Sequence, residues 1–133
     1  MKSENCTNFD DGKMNPNEYY SELIIEFPTL KDEIESEEPE MVHFRMEIFS
    51  SYNIEQIKTK NYSELKRCFE FQEFRIEKLN RELINALNVS YCESLLLGEC
   101  ANEMNEIRKL MTPKLAVIYA EYEKYYTKIT GTE

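Results

Sequence analysis

Residues 61–87 read NYSELKRCFEFQEFRIEKLNRELINAL. At about 100° per residue, Leu65, Cys68, Phe69, Ile76, Leu79, Leu83, Ala86 and Leu87 fall on one stripe, which predicts a long amphipathic helix over 62–87. Asn61 stands before it with Glu64 three residues on, the pattern of a cap whose side chain accepts a first-turn amide. A stripe of this kind is satisfied only against similar stripes. Met41, Phe44, Ile48, Phe49 and Tyr52 supply one. Leu115, Ile118, Tyr119, Tyr122, Tyr125, Tyr126 and Ile129 supply another. The expected fold is therefore an all-α, single-domain bundle of about six helices.

Further start signals recur along the chain. Asn15-Pro16-Asn17-Glu18 gives a cap, a proline at the first helical position and an acid at the third. Pro28, Pro39 and Pro113 open later segments. Ser90-Tyr91-Cys92-Glu93 has the Ser-x-x-Glu form, with Asn88 as a stop before it and Gly98 as a stop after it. These signals predict helices near 16–27, 29–37, 40–59, 62–87, 90–97, 100–111 and 113–129. Residues 1–14 read as a flexible polar tail, and 15–131 as the helical domain.

The 133 residues carry 26 Asp and Glu against 16 Lys and Arg, a formal charge of −10. That balance argues against nucleic-acid binding and against an anionic membrane surface. No apolar run is long enough to cross a membrane, and no secretory leader is evident, so a cytoplasmic protein is expected. Cys68, Cys92 and Cys100 fall in apolar helical patterns and are read as reduced, packed thiols; Cys92 and Cys100, eight apart across Gly98, could also form a redox pair.

The chain offers little to catalysis. Its one histidine, His43, excludes three-histidine zinc sites and zinc fingers within one chain. Glu40-x-x-His43 is half of a di-iron helix motif with no second copy. His43 projects opposite the apolar stripe of its helix and is read as an exposed, ordinary side chain. Glycine-rich phosphate loops and nucleophile elbows are absent. The expectation is a protein that is not an enzyme and needs no metal or cofactor. The alternative is a metal site or enzyme built on His43, Glu40 and Glu47.

Two features stand out. Residues 1–47 hold 13 acids and 4 bases, a net of −9, while 48–133 hold 13 acids and 12 bases. The excess concentrates in Asp32, Glu33, Glu35, Glu37, Glu38 and Glu40. It is either a solvated helix end or the charged rim that docks a basic protein partner. The second feature is a ridge of Arg67, Phe71, Phe74, Lys78 and Arg81, opposite the core stripe of the long helix. It is either buried under a neighbour with its bases reaching outward, or an exposed aromatic and basic anchor, including one that builds a homodimer. Arg45 falls inside an apolar arc and needs a carboxylate or a route to solvent; Gln72 needs partners if buried.

The strings FPTLKDEIE (27–35), YNIEQIKTKNYSELKRCFEF (52–71) and NVSYCESLLL (88–97) resemble a family of small, uncharacterised bacterial helical proteins. Some of its members look like immunity proteins of polymorphic-toxin systems. The resemblance spans about 24–126 and rests chiefly on Asn61, Leu65, Cys68 and Phe69 and on Ser90, Tyr91, Glu93 and Leu95. It implies a helical fold, no catalytic residues, and as partner a basic toxin domain that the protein would mask.

Overall fold

A computed structural model describes residues 12–130. The helices are α1 (Pro16–Glu26), α2 (Lys31–Ser36), α3 (Val42–Lys58), α4 (Tyr62–Glu73), α5 (Arg81–Ala86), α6 (Glu93–Leu97), α7 (Met104–Ile107) and α8 (Pro113–Thr130). Short 3₁₀ turns at Pro28–Leu30, Ile76–Lys78, Ala101–Glu103 and Arg108–Leu110 join them, and a π-helical stretch, Leu87–Cys92, runs α5 into α6. The described residues are all-α, with one parallel bridge between Met14 and Leu79.

Local sequence fixes the starts. The Asn15 side chain accepts from the Glu18 amide at 2.9 Å, while the Glu18 carboxylate accepts from the Asn15 amide at 3.0 Å. That reciprocal pair satisfies two amides at the helix entry. Asn61 caps α4 through the Glu64 amide. α3 ends with Lys60 at φ 60°, its N–H donating to Ile57 O and that of Asn61 to Gln56 O. This is a Schellman closure with lysine where glycine is usual.

The core is an aromatic cluster wrapped by aliphatics. Phe49 of α3 lies 5.3 Å from Phe27, 5.7 Å from Phe71 and 5.8 Å from Tyr91, centroid to centroid, and Tyr19 meets Phe71 at 5.4 Å. Such tilted, edge-on and stacked pairs add to the energy of simple burial. Most polar groups inside this core are partnered, the buried Tyr119 hydroxyl excepted. The Tyr19 hydroxyl donates to Gln72 Oε1 at 2.7 Å, the Tyr91 hydroxyl to Asn53 Oδ1 at 2.7 Å, and Asn53 Nδ2 to Phe49 O at 2.7 Å. The partners that a buried Gln72 requires are thus supplied by α1 and α3.

Five expectations need correction. The long helix is broken: α4 stops at Glu73, and Asn80, in extended backbone, caps a new helix by accepting from the Leu83 amide. The break is held from outside the segment. Met14 N–H donates to Lys78 O at 2.7 Å, and Asn80 N–H to Met14 O at 3.0 Å. Lys13 Nζ also donates to Glu77 O. The last residues of the expected tail are therefore part of the fold; residues 1–11 of that stretch lie outside the described residues.

The expected stop at Asn88 and cap at Ser90 do not form. The chain stays helical through 87–92 between α3 and α8, and Ser90, Tyr91 and Cys92 are all buried. α3 is rotated from the expected face. Val42, Met46, Phe49, Asn53 and Ile57 point inward, while Met41 and Phe44 are exposed, Phe44 by 50 %. Ser50 and Asn53 tolerate the core because each bonds a carbonyl one turn back, at Met46 and Phe49. Finally, 100–111 is not one helix but the short α7 between two 3₁₀ turns. On α8, Leu115, Tyr119 and Tyr122 are buried as expected, while Tyr125 and Ile129 are exposed.

Candidate functional site

The acidic segment comprises α2 and the turn leading into α3. Asp32, Glu33, Glu35, Glu38 and Glu40 are exposed, and Glu37 is half-buried. Only Glu35 of the six is ion-paired to a described residue, Lys31, at 3.0 Å. The bases elsewhere are largely occupied. Arg67 binds Glu26 and Glu64, Arg75 binds Glu22, Arg108 binds Glu123, and Lys58 binds Glu99. The excess negative charge is thus presented to solvent on one edge.

Arg45 organises that edge. It is 8 % exposed, its guanidinium lies 5.7 Å from the Tyr20 ring centroid, and Nη2 donates to Glu37 O at 2.8 Å. The expected carboxylate partner is replaced by a backbone carbonyl. The buried cation therefore grips the turn without neutralising the side chains on it.

The expected ridge is not brought together. Phe71 is 3 % exposed and belongs to the aromatic core, whereas Phe74 caps α4 and is 70 % exposed. Arg67 lies over the Phe27 ring, 4.6 Å from its centroid, and donates to Glu64 at 2.7 Å and Glu26 at 2.9 Å. Lys78 sits on the turn after the helix break, and Arg81 opens α5. The break removes the common phase that a continuous helix would have given these five.

His43 is likewise not a freely exposed side chain. Its Nδ1 stands 2.7 Å from Ser90 Oγ, and Ser90 is 4 % exposed. The pair forms the floor of a groove of about 430 Å³ between α3 and the 87–97 helix. Glu47 lines one wall and Glu93 the other; Val89, Ser94 and Leu97 complete it. Glu93 accepts from the Tyr122 hydroxyl at 3.1 Å. Burial first, then that carboxylate, pushes the Tyr122 phenol up to about 12. Phe44 stands outside the groove on the solvent face of α3, one turn from Glu47. The sequence signal for this arrangement was the alternative spacing Val42, Met46, Phe49, Asn53 and Ile57, which turns Phe44 and Glu47 outward together.

No group of three or more His, Cys, Asp or Glu is placed to hold a metal ion among the described residues. Cys68, Cys92 and Cys100 are free, buried thiols. Burial raises all three, Cys92 to about 12. A thiolate reagent or metal ligand needs the opposite shift.

The class defined by these features is a single all-helical domain whose candidate site is an open acidic surface. Residues 20–127 match the domain of unknown function DUF7674, and the chain belongs to that family. No curated protein and no solved structure matches it. No helix among the described residues is long and apolar enough to cross a membrane.

Proposed function

We propose that the chain is a non-enzymatic protein-binding module that docks a basic surface of a partner protein, in the manner of an immunity-type inhibitor of a toxin domain. The observation that carries this reading is the unneutralised acidic edge, where five of six carboxylates lack a cationic partner among the described residues. A field of one sign raises encounter rates with an opposite surface and disfavours like-charged competitors. The resemblance to immunity-like proteins adds the inhibitor role, and buried reduced thiols suit a cytoplasmic setting.

Charge reversal tests it. The Asp32→Lys, Glu33→Lys, Glu38→Lys, Glu40→Lys variant abolishes binding to a basic protein partner co-purified with the wild-type chain, measured by titration calorimetry at low and high salt. Unchanged, salt-independent affinity refutes the reading.

A second reading, self-association, draws on Phe74. This ring is 70 % exposed, and an apolar groove of about 410 Å³ formed by Ile76, Pro113, Val117 and Ile118 begins two residues away. Light scattering decides it: a dimer mass in wild type that falls to monomer in Phe74→Ser supports this reading, and a monomer in both removes it.

A further inference from the structure

We infer that the groove between α3 and the 87–97 helix is a socket for a cationic side chain of the partner, arginine best, and so a specificity element within the acidic surface. The inference rests on the proposed partner-binding reading and adds the place where a single residue of the partner is read. Three observations carry it. Glu47 and Glu93 face the groove from opposite walls, and no lysine or arginine lines it. Neither carboxylate is ion-paired to a described residue, and Glu93 uses Oε1 on Tyr122, leaving its other oxygen for a donor. The remaining wall is aliphatic and accessible, with Val89 43 % and Leu97 45 % exposed.

That combination fits an arginine or lysine. Its methylene stem lies along apolar surface while its head reaches anionic acceptors. The guanidinium carries several donors in a fixed fork, which suits acceptors arriving from two walls better than an ammonium does. At the floor, His43 Nδ1 and Ser90 Oγ engage each other at 2.7 Å. The backbone around it is rigidly seated, since Ser90, Tyr91 and Cys92 are packed into the core.

The test uses small probes on the whole chain. ¹⁵N-labelled protein is titrated with Nα-acetyl-arginine methylamide and, in parallel, with the uncharged norleucine analogue. Saturable amide shifts are expected at His43, Glu47 and 89–98 with the arginine probe alone. Glu47→Gln combined with Glu93→Gln weakens that binding by about tenfold or more, as loss of charge-assisted bonds requires. Asp32→Asn combined with Glu33→Gln leaves it unchanged. Shifts absent from the groove, spread evenly over all exposed acids, or indifferent to the Glu47 and Glu93 substitutions overturn the inference. The outcomes also separate it from the broader reading. Four-acid reversal that abolishes partner binding while the groove ignores arginine retains the acidic edge and eliminates the socket. A groove that takes arginine, with partner binding insensitive to the four acids, retains the socket and eliminates the edge.

Discussion

Glu73 holds the last helix in place from a distance. Thr112 precedes Pro113 and is positioned to cap α8, yet its hydroxyl is buried without a hydrogen-bond partner. The Glu73 carboxylate, at the end of α4, instead accepts from the Lys114 amide at 3.0 Å and the Leu115 amide at 3.1 Å. Burial pushes the carboxyl upward, but the two amide bonds and the Lys114 charge, with the Thr112 hydroxyl nearby, outweigh it and leave the group below its ordinary value. Loss of a cap costs about 0.5 to 2 kcal/mol. Loss of a negative charge at a helix N-terminus costs about 0.3 to 1 kcal/mol more.

Glu73→Ala should therefore lower stability by about 2 kcal/mol, and Glu73→Gln, which keeps an acceptor, by about 1 kcal/mol. In a chain of this size that is a fall in Tm of roughly 4 °C per kcal/mol. A carboxylate lowered in the folded state contributes stability above its unfolded value, and that contribution is lost as pH falls through the folded one. The gap between wild type and Glu73→Gln should thus be full at neutral pH and close in acid, below the ordinary carboxylate value of 4.5. Urea denaturation followed by circular dichroism across that range measures it. A Glu73→Ala variant as stable as wild type at neutral pH, or a Gln gap that persists after the carboxyl is protonated, would falsify the tertiary cap.

The helix break makes a second comparison. Phe71→Ala should cost about 3 to 5 kcal/mol, as a core phenylalanine does, whereas Phe74→Ser should stay within about 0.5 kcal/mol. Equal losses in thermal melts would restore the continuous ridge. Lys60→Gly should stabilise by up to about 1 kcal/mol, because the left-handed conformation at that position costs an L-residue and not glycine. A lower denaturation midpoint in urea contradicts it. Cys68, Cys92 and Cys100 should resist a thiol-specific disulfide reagent at pH 8 in the folded protein and react at once in denaturant, because burial raises each thiol. Rapid modification of Cys92 in the native state would rule that out.

Much of the fold is legible in short-range chemistry. Asn15 and Asn61 announce their helices because a cap is settled within four residues, and both side chains accept the amides that the spacing indicates. Leu115, Tyr119 and Tyr122 declare the inner face of α8 because an amphipathic period repeats locally. The break after Glu73 has a different origin. It is stabilised by Met14, more than sixty residues away, and no periodicity within 61–87 carries that information. Ser90 has the form of a cap but becomes a buried partner of His43, because that choice depends on which helix passes alongside. The rotation of α3 was hidden for a similar reason. Ser50 and Asn53 count as surface residues by type, and only their bonds to Met46, Phe49 and Tyr91 let them face inward. That rotation also concealed the groove: the pairing of His43 with Glu47 was legible on one helix, but the opposite wall comes from Val89, Glu93 and Leu97, some forty residues away. The acidic segment itself was readable from composition, whereas the dispersal of Arg67, Phe71, Phe74, Lys78 and Arg81 required the three-dimensional path.

The grip of Arg45 on Glu37 O bears on the thermodynamics of association. A charged loop that is disordered before binding must give up conformational freedom when a partner arrives, and that loss subtracts directly from affinity. Here the turn is fastened by a buried cation bonded to the main chain, so the backbone that carries its carboxylates is already set in position. Contact with an opposite surface then orders side chains but little main chain. Because the fastening uses a carbonyl, carboxylates along the edge can be replaced without unlatching it, and the shape of the surface can be retained while its charge is altered.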